Sequence, residues 1–221
     1  VTIEQFRNRA LKIVDKYLCL DEKDRKPMMF VLDSLGMLST EKEIKDVLED
    51  KQTRDMTKSQ LVKGAFRMLT LKLGQANVPL IVTNHTYDVI GAYVPTKEMG
   101  GGSGLKYAAS TIIYLSKAKE KDGTEIIGNI IKAKAVKSRL SRENRTVSIR
   151  LYYDERGLDR YYGLLELGES TGVIKKVGNR YEIDGKKVYA KEVYSNPEKY
   201  FTPELMEQLD EAAGKEFSYG S

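Results

Sequence analysis

The 221-residue sequence contains one cysteine, one histidine and no tryptophan. With Cys19 as the lone thiol, an intrachain disulfide and a cysteine-built zinc site are excluded, and a reducing cytoplasm is the expected location. With His85 as the lone imidazole, multi-histidine metal centres and HExxH proteases are excluded as well. No run approaches the about 18 consecutive apolar residues of a membrane-spanning helix. No basic-then-apolar segment opens the chain, so no membrane partner is expected. The phosphate-cradling pattern G-x-x-x-x-G-K-[ST] and the dinucleotide pattern G-x-G-x-x-G are both missing. The nearest approach, Gly178 to Gly185-Lys186-Lys187, has six residues between its glycines and a lysine where a hydroxyl is required.

What remains is the composition of an ordinary globular protein, 41% hydrophobic and 31% charged. Lys and Arg outnumber Asp and Glu by 37 to 32, a mild excess that permits a polyanionic partner.

Helical spacing of Ile3, Phe6, Ala10, Ile13, Val14 and Tyr17, with Thr2 and Gln5 at capping-box distance, predicts a helix to about Leu18. Pro27 to Ser34 is a continuous apolar run ending in a carboxylate, the pattern of a strand buried on both faces. Residues 40–56 are polar and predict a short helix followed by a loop. Thr57 and Gln60 again have capping-box spacing, and the leucines after them predict a long helix to about Gln75. Pro79 to Asn84 is a second apolar strand running into His85. Strand, helix, strand is the βαβ pattern of an α/β fold.

Residues 86–104 lack periodicity and end in Gly100-Gly101-Gly102-Ser103-Gly104, a long loop of the kind that is usually functional. Four β-rich runs follow, at 109–116, 125–137, 146–153 and 160–166, and predict an antiparallel meander. From about Gly168, short strands alternate with glycine turns. Thr202-Pro203 then opens a last helix, with Gly214 as its expected stop. Residues 168–221 are expected to form a small separate domain after a core of residues 1–167.

Asp33 ends its strand where α/β sheets bind ligands. An acid in that place can hold Mg²⁺ beside nucleotide phosphates, with the Ser34 hydroxyl beside it. It can equally open a turn or cap a helix. Asn84 and His85 end the second strand in the same way. No nucleophile elbow accompanies them, which disfavours a hydrolase triad. The His85 position before the long loop suits a sensor, although a lone histidine can also be a packing residue. Tyr87, Tyr93, Lys97, Lys106 and the glycines combine flexible backbone, cations and aromatics, which suits single-stranded nucleic acid; a solvated surface loop has the same composition. Residues 132–145 carry six basic side chains and one acidic one, Lys137 and Arg139 among them. Residues 198–221 carry six acids against two lysines and are no nucleic-acid arm.

In order along the chain, MMFVLDSLGML, PLIVTNH, GGSGLKYAAS, AKAVKSRL, LYYDERGLDRYYGLLELG and VIKKVGNRYEIDGKKV resemble the RecA-type DNA recombinases, closest to the UvsX-type branch of T4-like phages. The first resembles the Walker B strand, and the second ends in His85 where bacterial members have glutamine. The fourth resembles the element that reaches an adjacent subunit's nucleotide, with Arg139 in place of a lysine.

The resemblance implies an α/β RecA-like P-loop ATPase core, with a mostly parallel central sheet, an antiparallel edge and helices on both faces. A small α+β C-terminal domain follows. It implies ATP and Mg²⁺ as cofactors. Asp33 would hold the metal through water, Ser34 would support it, His85 would sense the γ-phosphate, and Lys137 and Arg139 would act on a neighbour's nucleotide. Arg54, Lys58, Tyr87, Tyr93, Lys97, Gly101, Gly102 and Lys106 would face DNA.

The implied activity is ATP-dependent strand exchange by a helical filament on single-stranded DNA, in recombination, repair and recombination-dependent replication. Double-stranded DNA, mediator proteins and single-strand-binding proteins would be its partners. The Walker A loop and the catalytic glutamate are expected upstream of Val1, and this stretch alone is expected to be inactive without them. The alternatives are a hexameric helicase or other RecA-fold motor, a non-catalytic DNA-binding module and, disfavoured by the missing glycine fingerprint, a dinucleotide-dependent enzyme.

Overall fold

Thr2 organises the first element. Its hydroxyl accepts the Gln5 N–H at 3.1 Å, and Gln5 Oε1 accepts the Thr2 N–H at 3.3 Å, so the expected capping box opens α1 (Ile3–Leu18). The computed structural model describes residues 1–51, 57–89, 91 and 97–218; the expected DNA contacts Arg54 and Tyr93 lie outside them. The chain divides into two units, Val1–Ala109 and Ser110–Ser221. No described helix is long and apolar enough to cross a membrane.

In the first unit, β1 (Phe30–Leu32) leads to α2 (Glu41–Leu48), α3 (Lys58–Ala76) and β2 (Leu80–Val82). β1 and β2 pair in parallel, Phe30 with Leu80 and Leu32 with Val82. Phe30, Leu32, Leu80 and Val82 pack toward the faces of α1 and α3 that carry Val14, Val62, Phe66 and Leu69. The other face differs from the expectation of burial on both sides. Val31 is 59% and Ile81 50% exposed, because the described helices cover one face of the pair only.

Thr57 stands at the N-cap of α3 but does not form the expected capping bond. Its backbone is helical rather than extended, and the Gln60 N–H donates to the Thr57 carbonyl at 2.9 Å instead of to the side chain. The unread box is at Thr40, whose hydroxyl and Glu43 close reciprocal 2.9 Å bonds at the start of α2.

Residues 86–104 also depart from an unstructured loop. β3 (Thr86–Asp88) and β4 (Lys97–Met99) pair antiparallel, and α4 (Gly102–Ala108) begins inside the glycine run. Gly101 makes that start possible, since its φ of +92° is closed to most side chains.

In the second unit, β5 (Thr111–Asp122), β6 (Glu125–Ser138) and β7 (Thr146–Tyr152) form the expected antiparallel meander. Among the described strands, parallel pairing is confined to β1 and β2; outside the strands a single parallel bridge joins Thr2 and Ser39. The fourth β-rich run, 160–166, is no strand. The Asp159 carboxylate accepts the Tyr161 N–H at 2.9 Å and turns the chain into α5 (Leu164–Thr171).

A second small meander, β8 (Lys175–Val177), β9 (Arg180–Ile183) and β10 (Lys186–Tyr189), is followed by α6 (Ala190–Ser195), α7 (Pro197–Tyr200) and α8 (Pro203–Phe217). These elements share a core of Leu165, Ile174, Tyr181, Ile183, Val188, Val193, Phe201 and Leu209. Thr202 caps α8 as expected, but Gly214 lies inside it: a glycine costs a helix only about 1 kcal/mol, and Gly214 O still accepts the Ser218 N–H.

Arg150 ties this unit together. It bonds Glu120 at 3.2 Å and Asp159 at 2.9 Å, and its guanidinium stands 4.4 Å from the centre of the Tyr162 ring and 5.4 Å from that of Tyr194. Burial alone would lower its pKa, but Tyr152, Glu120 and Asp159 together raise it above the ordinary value. Only 12% of the side chain is exposed. Arg150→Met is expected to cost roughly 1–3 kcal/mol, between the values for exposed and buried pairs. Urea unfolding followed by tyrosine fluorescence measures it, and an unchanged midpoint would contradict the assignment. Leu69→Ala, at a fully buried position of α3, is expected to cost about 2–5 kcal/mol in the same assay.

Candidate functional site

Because β1 and β2 run in parallel, their carboxyl ends share one edge, and Asp33 and His85 follow those two ends. Thr83 Oγ1 donates to Asp33 Oδ1 at 2.5 Å, which holds the exposed carboxylate at the edge. Backbone bonds reinforce this: Thr83 N–H reaches Leu32 O at 2.9 Å, and Leu35 N–H reaches Thr83 O at 3.0 Å. The peptide between Asp33 and Ser34 is cis. Ser34 is half-buried at the head of the turn Leu35–Met37.

The His85 ring lies over Gly36. A Cβ there would stand 2.9 Å from His85 Cδ2, so only glycine lets the ring come this close. Asn84 and His85 then grip the glycine segment. Asn84 Nδ2 donates to Gly100 O at 2.8 Å, Gly100 N–H to His85 O at 3.1 Å, and His85 N–H to Asn84 Oδ1 at 2.9 Å. Asn84-His85 is thus bonded on two sides to Gly100, two residues before the start of α4.

A cleft of about 610 Å³ opens beside this edge, lined among others by Gly36, Lys58, Asn84, Tyr87, Gly100 and Gly101. Of the residues expected to face DNA, the structure brings Lys58, Tyr87 and Gly101 together there. Tyr87 is exposed on β3, and Lys58 opens α3, paired with Glu43 at 3.3 Å. Gly102 begins α4 and Lys106 lies exposed along it. Lys97 is exposed on β4, 4.0 Å from Asp88.

Lys137 and Arg139 belong to the second unit, at the end of β6. A bulge between Ile112 and Ile113 leaves Val136 as the extra residue on β6. It restores Lys137 to the face of Lys132 and Lys134, which simple alternation would deny it. Buried Ser138 accepts the Ser141 N–H at 2.9 Å and the Leu140 N–H at 3.2 Å, shaping the turn that carries Arg139.

Among the described residues no group of three His, Cys, Asp or Glu gathers to hold a metal. A single exposed carboxylate at a strand end suits Mg²⁺, which keeps much of its water shell and takes one or two carboxylates plus phosphate oxygens. A phosphate cradle is not among these residues. Two partners in the site were not read from the sequence. Thr83 carries no motif signal beyond its place before Asn84. Glu43 was readable from the T-x-x-E spacing at Thr40.

A family model for the RecA N-terminal domain matches residues 5–159. The chain is similar to the recombination and repair protein of Enterobacteria phage T4, 35% identical over 178 residues that make up 80% of this chain and 44% of that protein. It is 31% identical to protein RecA of Desulforapulum autotrophicum over 205 residues, 91% of this chain and 56% of the relative. It is 32% identical to protein RecA of Chloroherpeton thalassium over 162 residues, 72% and 44%. The chain spans about half the length of the curated relatives it matches.

The contact between His85 and Gly36 makes a prediction. Gly36→Ala is expected to displace the imidazole and shift its proton resonances, with the fold retained. Imidazole NMR signals that superimpose on those of the unaltered protein would contradict the packing described.

Proposed function

The chain belongs to the RecA family, and from that premise we propose that it is the C-terminal part of an ATP-dependent strand-exchange protein that assembles as a helical filament on single-stranded DNA. The observation that carries the proposal is the shared edge: Asp33 and His85 follow the ends of one parallel strand pair, and the second is bonded to the glycine segment of the cleft that Lys58 and Tyr87 also line.

In this reading Asp33 holds hydrated Mg²⁺, with Thr83 orienting its carboxylate and Ser34 beside it. Mg²⁺-ATP, when bound, supplies the phosphoanhydride whose cleavage drives filament turnover. His85 responds to the γ-phosphate and passes its displacement through Asn84 and Gly100 to Gly101, Gly102 and α4. Lys58, Tyr87, Lys97 and Lys106, with Arg54 and Tyr93, contact single-stranded and then double-stranded DNA. Lys137 and Arg139 neutralise phosphate charge on the nucleotide of a neighbouring subunit.

We assign residues 1–167 to the ATPase core and 168–221 to a small C-terminal domain; Ile174, Tyr181, Ile183, Val188, Val193 and Leu209 build a core of their own there, which Leu165 joins from just before the boundary. The exposed Val31 and Ile81 face supports a larger, mostly parallel sheet completed by residues outside this chain, the phosphate loop and catalytic glutamate among them. This stretch alone would then not hydrolyse ATP. Cytoplasmic location, mediator proteins and single-strand-binding proteins complete the reading.

Asp33→Asn tests it in the protein that includes the phosphate loop. DNA-stimulated Mg²⁺-ATP turnover is expected to fall by at least ~10²-fold, the order seen when a charge-stabilising group is lost. Turnover at the unaltered rate would overturn the assignment of Asp33.

A further inference from the structure

Glu43 uses one carboxylate in two places. Its Oε2 accepts the Thr40 N–H at 2.9 Å, completing the cap of α2, and both its oxygens stand 3.3 Å from Lys58 Nζ. Thr40 is fully buried, so the carboxylate is held from behind by a fixed group. Glu43 and Lys58 line the same cleft as Tyr87, Asn84 and Gly101. The pair is not sealed: its side chains are 36% and 31% exposed, and solutes reach it.

To an ammonium group, a carboxylate and a phosphodiester offer the same thing, an anionic oxygen at hydrogen-bond distance. We infer that Glu43 is a built-in competitor for Lys58, occupying the place that a phosphodiester of single-stranded DNA takes when the cleft is filled. The inference rests on the DNA-facing reading of the cleft given above. The exchange trades one ion pair for another. Glu43 keeps its bond to Thr40 throughout, so α2 stays capped while Lys58 changes partner. Glu43 thereby lowers the affinity of the cleft for isolated anions and favours a polyanion that engages several groups at once. Neighbouring phosphates on Lys97 or Lys106 offset the cost of displacing it.

Glu43→Gln separates the two uses, because glutamine at the third helical position also completes a capping box but no longer competes as an anion. Binding of a fluorescent oligothymidylate, followed by anisotropy over a range of salt concentrations, would compare the unaltered protein, Glu43→Gln, Lys58→Met and the double variant. Glu43→Gln is expected to bind about two- to fivefold tighter, the range that an exposed ion pair is worth. The double variant is expected to match Lys58→Met. The salt dependence of Glu43→Gln should exceed that of the double variant by about 0.7 in log–log slope, one single-strand phosphate contact. Affinity of Glu43→Gln equal to that of the unaltered protein would overturn the inference alone. So would equal tightening in the Lys58→Met background, since the effect would then be general charge. No binding by any variant at low salt would instead overturn the DNA-facing reading beneath it.

Discussion

Parallel pairing of β1 with β2 is the constraint on which the site depends. Side by side and in the same direction, the two strands deliver Asp33 and His85 to one edge without any side chain having to bridge the sheet. An antiparallel pair would send them to opposite ends. The pairing is secured from one face only, where Phe30, Leu32, Leu80 and Val82 meet α1 and α3. Apolar burial there supplies the stability, and the edge is left polar and exposed, which lets chemistry accumulate without disturbing the core.

From that edge the connection runs through short, directional bonds. The Asn84 side chain and the His85 carbonyl both bind Gly100, so the end of β2 and the glycine segment are tied together at two points. Gly101 then turns the chain through a left-handed conformation into α4. A rigid junction followed by a permissive residue is a sound basis for passing a small displacement to an exposed surface. On the far side of the cleft, Glu43 and Lys58 show how a helix cap and a charge pair are combined in one side chain.

Much of this was readable in the sequence where the signal was local. The Thr2 capping box and the Thr202-Pro203 helix start depend on residues within a turn of one another, and the two apolar strands and the three strands of the first meander show as β-rich runs between turn residues. The readings that failed involve competition that local pattern does not express. Thr57 has the spacing of a cap but not the extended backbone that a cap requires. Residues 160–166 have strand composition, yet the Asp159 turn and burial of Leu165 make them the approach to a helix. The strand of Val31 read as doubly buried because an apolar run says only that a residue can be covered, not that it is. In the site, Asp33, Asn84 and His85 stood out as polar ends of greasy strands. Thr83 did not, because its importance comes from pairing across to Asp33, 50 residues away.

The central claim is that the histidine edge couples nucleotide to the DNA-facing segment. Amide hydrogen exchange of residues 99–108, measured with and without a non-hydrolysable Mg²⁺-ATP analogue in the protein that includes its phosphate loop, tests it most directly. The account predicts that the analogue slows exchange in this segment and that His85→Ala abolishes the slowing while the nucleotide still binds. Equal slowing in the His85→Ala protein would contradict it.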